Sequence, residues 1–253
     1  MLRILITNDD GIFSPGLRLL EEAFAEVGDV WVVAPECENS ACGRSVTLHR
    51  PLRVKEIHHR RFAVDGTPAD CVLLAFRCLV PDRPDVVVSG INRGNNIGED
   101  LDYSGTVGAA AEGALQGARV ALAVSADERS QSEDLAWAGG VSRTLTHRLL
   151  RNLTPKGTYL NINFPRRPTT RVQWTQPAHF LGTGQVDRCE DPRGNRYYWI
   201  STRPQDTHPS ADTDRGALAQ GIISLTLLTL VRNHDGEWER PDFSKDGFVE
   251  VRA

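Results

Sequence analysis

Two adjacent carboxylates, Asp9 and Asp10, stand at the end of a short apolar run at 2–7, and Gly11 follows them at once. Neighbouring ionised carboxylates repel each other unless a positive charge is shared between them. A short run rich in Leu and Ile, bounded by polar residues, reads as a buried strand. In open α/β sheets ligands sit just outside the carboxyl ends of strands. The pair therefore falls where a divalent cation would resolve the repulsion. Turn chemistry is the competing reading, because Asn8-Asp9-Asp10-Gly11 is also a good turn, with Asp10 capping it and Asp9 in a salt bridge.

Two further loops bring neutral oxygens. The stretch 35–43 carries Asn39 and Ser40, and the stretch 90–106 carries Asn92. Each follows a strand-like run, so in a parallel sheet all three loops meet at one edge. Asp9, Asp10, Ser40 and Asn92 then form an all-oxygen set, which suits one Mg²⁺ or Mn²⁺ per chain and not zinc or copper. Ser104, Gly105 and Thr106 precede a helical run of small residues at 107–116. A helix start offers free N–H groups and the positive end of the dipole to a phosphate, although Ser104 could simply be an N-cap. A cation beside a phosphate cradle points to phosphoryl transfer to water.

Other chemistries lack their residues. No Gly-x-Ser-x-Gly elbow, no G-x-G-x-x-G after the first strand and no Walker loop occurs, and the only lysines are Lys55, Lys156 and Lys245. The seven histidines form no two-ligand spacing; one from the C-terminal arm could still serve as a proton donor. Five cysteines, with no Cys-x-x-Cys, argue against a disulfide framework or a zinc site.

The elements that must carry these loops follow from periodicity. Helical spacing from Leu17 to Phe24, with Gly28 as its stop, and an apolar run at 30–34 complete a βαβ unit. Short strands at 46–48, 52–54 and 61–64 suggest a hairpin insertion. Thr67-Pro68-Ala69-Asp70 opens a helix that runs to Leu79. Strands at 85–89, 120–124 and 158–164 and a long amphipathic helix at 133–150 complete the pattern. The expected fold is α/β: a Rossmann-like, doubly wound, largely parallel sheet with a β-hairpin insertion and an extended C-terminal arm. Residues 1–165 would be the catalytic core. Residues 166–253, with strand-like pieces at 171–175, 196–200 and 221–227, would be a β-rich extension and oligomerisation arm without a core of its own.

The 253 residues carry a formal charge of −4, so the basic footprint of a duplex nucleic-acid binder is absent. No apolar run reaches the length of a membrane span and no leader pattern opens the chain, so a cytoplasmic protein is expected.

These motifs resemble the SurE family, the survival-protein 5′/3′-nucleotidases. The resemblance rests on residues 6–11, Val33-Ala34-Pro35 with Ser40, residues 66–71, residues 84–92 and residues 103–107, in that order, and more loosely on 160–163 and 191–195. The chain departs from the family's pattern at Cys42 and Asn95. The resemblance implies a metal-dependent phosphatase acting on nucleoside monophosphates. It implies Asp9, Asp10, Ser40 and Asn92 as metal ligands, and Ser104, Gly105 and Thr106 as phosphate-binding residues assisted by Asn96. It also implies a C-terminal arm exchanged in a homodimer or tetramer. Asp9 is the residue expected to orient or deprotonate the attacking water. The rivals are a haloacid-dehalogenase-type phosphatase, which needs its two acids two residues apart, and a receiver-like signalling module, which needs a lysine at a later strand end.

Overall fold

The structure, a computed structural model, describes residues 1–152, 155–179, 184–202, 209–230 and 244–251. β1 (Arg3–Thr7), α1 (Pro15–Phe24) and β2 (Asp29–Pro35) form the first βαβ unit. The hairpin of β3 (Val54–His58) and β4 (Arg61–Val64) follows, then α2 (Pro68–Leu74), β5 (Val86–Arg93), α3 (Gly105–Leu115), β6 (Val120–Ala126), α4 (Ser132–Arg151) and β7 (Thr158–Phe164). The remainder supplies β8 (Arg171–Trp174), β9 (Gly184–Glu190), β10 (Arg196–Thr202), α5 (Asp214–Ala219), β11 (Ile223–Thr229) and β12 (Val249–Glu250).

Ten of these strands form one sheet in the order β12-β8-β11-β7-β6-β5-β1-β2-β4-β3. From β4 through β7 every neighbour is parallel, and β3 and β11 join antiparallel. The chain builds outward from β1 to β2 and β4, then returns to place β5 on the other side of β1. The strand order therefore reverses between β1 and β5, the point where doubly wound sheets open a cleft at their carboxyl edge. Asp9 follows β1 there and Asn92 ends β5.

Alternation along β1 divides the core into two layers. Ile4 and Ile6 pack against Leu17, Leu20 and Phe24 of α1 and Leu135 and Leu145 of α4. Leu5 faces the other way, toward Cys71 and Val72 of α2 and Ala109 of α3. The small residues of α3 let it lie against the sheet: a Cβ at Gly113 would come within 2.7 Å of the Val87 side chain. Among the described residues no helix is long and apolar enough to cross a membrane.

Several local expectations are corrected. Residues 46–48 form no strand, because the Thr47 N–H (2.9 Å) and hydroxyl (2.6 Å) both donate to the buried Asp70 carboxylate. The hairpin is part of the main sheet, since β4 pairs with β2 and widens it. Gly28 does not end α1, which stops at Phe24; a Cβ at Gly28 would sit 2.4 Å from the Leu2 carbonyl oxygen, so close approach is its role. β5 runs four residues past Ser89, to Arg93. β9 and the short helix α5 were not expected, β9 because it is charged and opens on glycine, α5 because six residues show little periodicity.

A Cβ at Gly16 would lie 2.1 Å from the Ile91 carbonyl oxygen, backbone against backbone, whereas a Cβ at Gly140 in α4 meets nothing within 4 Å. Gly16→Ala should lower stability by about 2 kcal/mol or more through overpacking. Gly140→Ala should raise it by about 0.5–1 kcal/mol through helix propensity. Urea unfolding of the two variants measures this, and shifts of the same sign would contradict the packing argument.

Candidate active site

The turn after β1 is set by Asn8, which is fully buried. Its carbonyl oxygen accepts the Gly11 N–H (3.2 Å), and its amide donates to the Gly11 carbonyl (3.1 Å) and to Ser14 Oγ (2.7 Å). Ser14 in turn caps α1 by accepting the Leu17 N–H (3.3 Å). Gly11 takes φ +100°, where a side chain would be strained. One asparagine thus joins the end of β1 to the start of α1 and holds Asp9 and Asp10 at the mouth of the cleft.

Asp9 is nearly buried, and α3 holds it. The Thr106 hydroxyl donates to Asp9 Oδ1 (2.5 Å) and the Thr106 N–H to Asp9 Oδ2 (3.0 Å). The approach is close enough to require glycine next door: a Cβ at Gly105 would fall 2.8 Å from Cys42 Sγ and 2.9 Å from Asp9 Cβ. The Asn39 N–H donates to the Asp9 carbonyl (2.7 Å), and the Gly43 N–H to the Tyr103 carbonyl (2.7 Å), so the Ser40 loop is tied both to β1 and to the start of α3. Ser104 caps α3 by accepting the Val107 N–H (3.1 Å).

The charges are unbalanced. Burial pushes Asp9 above the ordinary carboxylate range, against the hydrogen bonds from Thr106 that pull it down. Asp10 is pushed up to about 6, first by burial, then by the negative charges of Asp9 and Glu38, with Arg93 opposing. No hydrogen bond reaches the Asp10 carboxylate among the described residues. Near neutral pH Asp10 is therefore held ionised at a cost to the fold, and that cost disappears as pH falls through about 6 toward the usual carboxylate range.

Of the residues expected from sequence, Asp9, Gly105 and Thr106 are in direct contact. Ser40 lies on the loop bound to Asp9 but is exposed, and its hydroxyl donates to Glu38 (2.8 Å). Asn92 ends β5 beside β1, and its amide nitrogen donates to the Gly94 carbonyl (2.7 Å), which leaves its oxygen as the end available to a ligand. Asn96 is anchored elsewhere, over β6 and β7. It donates to Ser125 Oγ (2.8 Å), and its carbonyl accepts from both Asn161 and Asn163 (2.9 Å each). Sequence reasoning missed Glu38 and Arg93 as charges on Asp10 and Cys42 as a wall of the site. Their positions, two residues before Ser40, next to Asn92 and two after Ser40, are the signal that could have found them. Of the histidines, His208 and His234 lie outside the described residues.

A hard cation suits this donor set. Two adjacent carboxylates are held above their ordinary range, first by burial and then by neighbouring negative charge, and the free donors beside them are oxygens. Among the described residues no three His, Cys, Asp or Glu side chains group as metal ligands, so a cation beside Asp9 and Asp10 would need neutral oxygens to complete its shell.

Fold and site together define a doubly wound α/β protein with an acidic pair at its switch point, one member of which is held by the N-terminus of a helix. Comparison with known proteins narrows this. The family profile described as Survival protein SurE matches residues 4–182. A relative from Myxococcus xanthus, named 5′-nucleotidase SurE, is 49% identical over 254 residues, covering 97% of this chain and 95% of that one. Another of the same name, from Geobacter metallireducens, is 43% identical over 232 residues, covering 90% and 92%. The crystal structure of the SurE protein from Aquifex aeolicus superposes with a TM-score of 0.80 at 37% identity, over 91% of this chain and 94% of that one. The chain belongs to the SurE family.

Asp10→Asn removes one of the two repelling charges at constant shape. In chelator near neutral pH the variant should unfold about 2–4 °C above wild type, on the scale of about 1 kcal/mol. It should also lose most of the upward shift that Mn²⁺ gives wild type. Equal Mn²⁺ shifts in the two proteins, read by differential scanning fluorimetry, would contradict the site.

Proposed function

We propose that this chain is a divalent-metal-dependent phosphomonoesterase that hydrolyses nucleoside 5′-monophosphates, and 3′-monophosphates, to nucleoside and phosphate. The observation that carries this reading is the carboxylate pair at the switch point facing the N-terminus of α3. The family's name for its members, 5′-nucleotidase, supports the substrate class.

Asp9, Asp10, Ser40 and Asn92 would hold one Mg²⁺ or Mn²⁺. When bound, the cation lowers the pKa of a water and offsets negative charge on the phosphoryl group. The chain's own residues do the rest. Both oxygens of Asp9 accept from Thr106, so Asp9 is fixed in orientation and acts as a ligand. Asp10 receives no hydrogen bond among the described residues, so its carboxylate is free to share with Asp9 the orienting of the attacking water. Thr106 spends its hydroxyl and N–H on Asp9. Phosphate is therefore left to the Gly105 N–H and the Ser104 hydroxyl at the start of α3, the Ser104 and Val107 N–H groups being already spent, and to Asn96. Fixed donors of this kind stabilise the equatorial oxygens of the transferring group.

Assembly as a homodimer or tetramer through residues 166–253 belongs to the same reading. Its support is the hairpin of β9 and β10, which forms a separate two-stranded sheet with Val186, Tyr198, Trp199 and Ile200 exposed. An apolar surface of this kind on a narrow ribbon is a surface for a partner chain.

Phosphate release from AMP should require Mg²⁺ or Mn²⁺ and fall by about a thousandfold in Asp9→Asn, the scale of losing several kcal/mol of charge stabilisation. A malachite-green assay with and without chelator reads this. Full activity of Asp9→Asn in chelator would sink the proposal.

A further inference from the structure

The segment that leads from β5 to α3, residues 94–104, carries Asn96 at one end and Ser104 at the other. It is anchored at two points. Near Asn96 it is bound to the side chains of Ser125, Asn161 and Asn163. The second anchor comes from the far end of the chain. Asp214, the first residue of α5, is fully buried, yet it pairs with no cation among the described residues. Its Oδ2 accepts the Gly98 N–H (2.8 Å), and its Oδ1 accepts the N–H groups of Ala178 (2.9 Å) and Arg215 (2.7 Å). Its own N–H donates to the Gln176 carbonyl (2.9 Å).

Gly98 fits this joint in two ways. It takes φ +55°, and a Cβ there would lie 2.7 Å from the Ala178 carbonyl oxygen. Directly from Gly98 starts the 3-10 turn Gly98–Asp102. The Asp100 carbonyl then accepts the N–H groups of Tyr103 (3.1 Å) and Ser104 (3.0 Å), which delivers the chain to the cap of α3. One carboxylate thus fixes three backbone groups, one of them 116 residues away in sequence. A buried carboxylate with this many N–H partners is a rigid joint, because losing any bond leaves a desolvated polar group.

We propose that Asp214 is a positioning residue for the phosphate-binding segment, holding residues 94–104 so that Asn96 and Ser104 meet the substrate's phosphate. The proposal rests on the reading of the site given above. Thr106 lies inside α3 and is held by that helix's packing on the sheet, so Asp9 does not depend on this joint, whereas the Ser40 loop and Asn92 touch the segment only through single bonds to Tyr103 and Gly94. Loosening the joint should weaken substrate binding more than metal binding.

Two variants test this on the full-length protein with Mn²⁺. Asp214→Asn keeps the shape and one acceptor oxygen. Gly98→Ala leaves Asp214 intact and presses a methyl group against Ala178 at the same joint. In each we expect amide hydrogen exchange at 98–104 to speed up about tenfold or more and KM for AMP to rise about tenfold. The kcat should fall as well, because the displaced donors also serve the transition state, while the Mn²⁺ concentration for half-maximal thermal shift should move by less than about threefold. Unchanged exchange and KM with only a lower unfolding midpoint would overturn the proposal. So would a shift in Mn²⁺ half-saturation as large as that in KM. If wild type does not turn over AMP, the functional reading fails by itself, and the exchange data still decide whether Asp214 holds the segment.

Discussion

The hydrogen bonds from Thr106 to Asp9 are the interaction on which the site depends. A carboxylate taken out of water needs compensation, and here the first turn of α3 supplies it with one hydroxyl and one N–H. That requirement places the N-terminus of α3 against the end of β1, and the contact is tight enough that only glycine fits at 105. The small residues of α3 follow from the same constraint, since a helix pinned so close to the strand ends has little room above the sheet. What Thr106 leaves uncompensated is Asp10, and the excess negative charge there is the reason for reading the site as a cation's.

Around this contact the cleft is assembled from distant parts of the chain. The Ser40 loop reaches Asp9 through Asn39 and reaches α3 through Gly43. Asn96 is fixed by β6 and β7, and Gly98 by Asp214. Each connection is a polar contact between segments far apart in the sequence. The sheet brings these loops to one edge, and the polar contacts then give each its position.

Much of this was legible beforehand where the signal is local. The strand-to-helix turns announce themselves through Thr67-Pro68 and Ser104-Gly105, because capping chemistry depends on a few neighbouring residues. The parallel order followed from alternation of strand and helix, and the meeting of the three loops followed from that order. Features set by tertiary contact were not legible. Residues 46–48 have the composition of a strand, but the Asp70 carboxylate takes the groups a ladder would need. Gly28 resembles a helix stop and is instead a point of backbone contact with Leu2. Thr106 was expected to hold phosphate and is bound to Asp9, a pairing across 97 residues that no spacing reveals. Asp214 stood in an acidic polar stretch with nothing to mark it as buried.

The central claim is that Asp9 and Asp10 share a cation with Ser40 and Asn92 at the switch point. The anomalous difference map of a Mn²⁺-soaked crystal measures this most directly. One strong peak per chain is expected within coordination distance of both carboxylates and of the Asn92 oxygen. A map with Mn²⁺ bound only elsewhere, and nothing between Asp9 and Asp10, would contradict it.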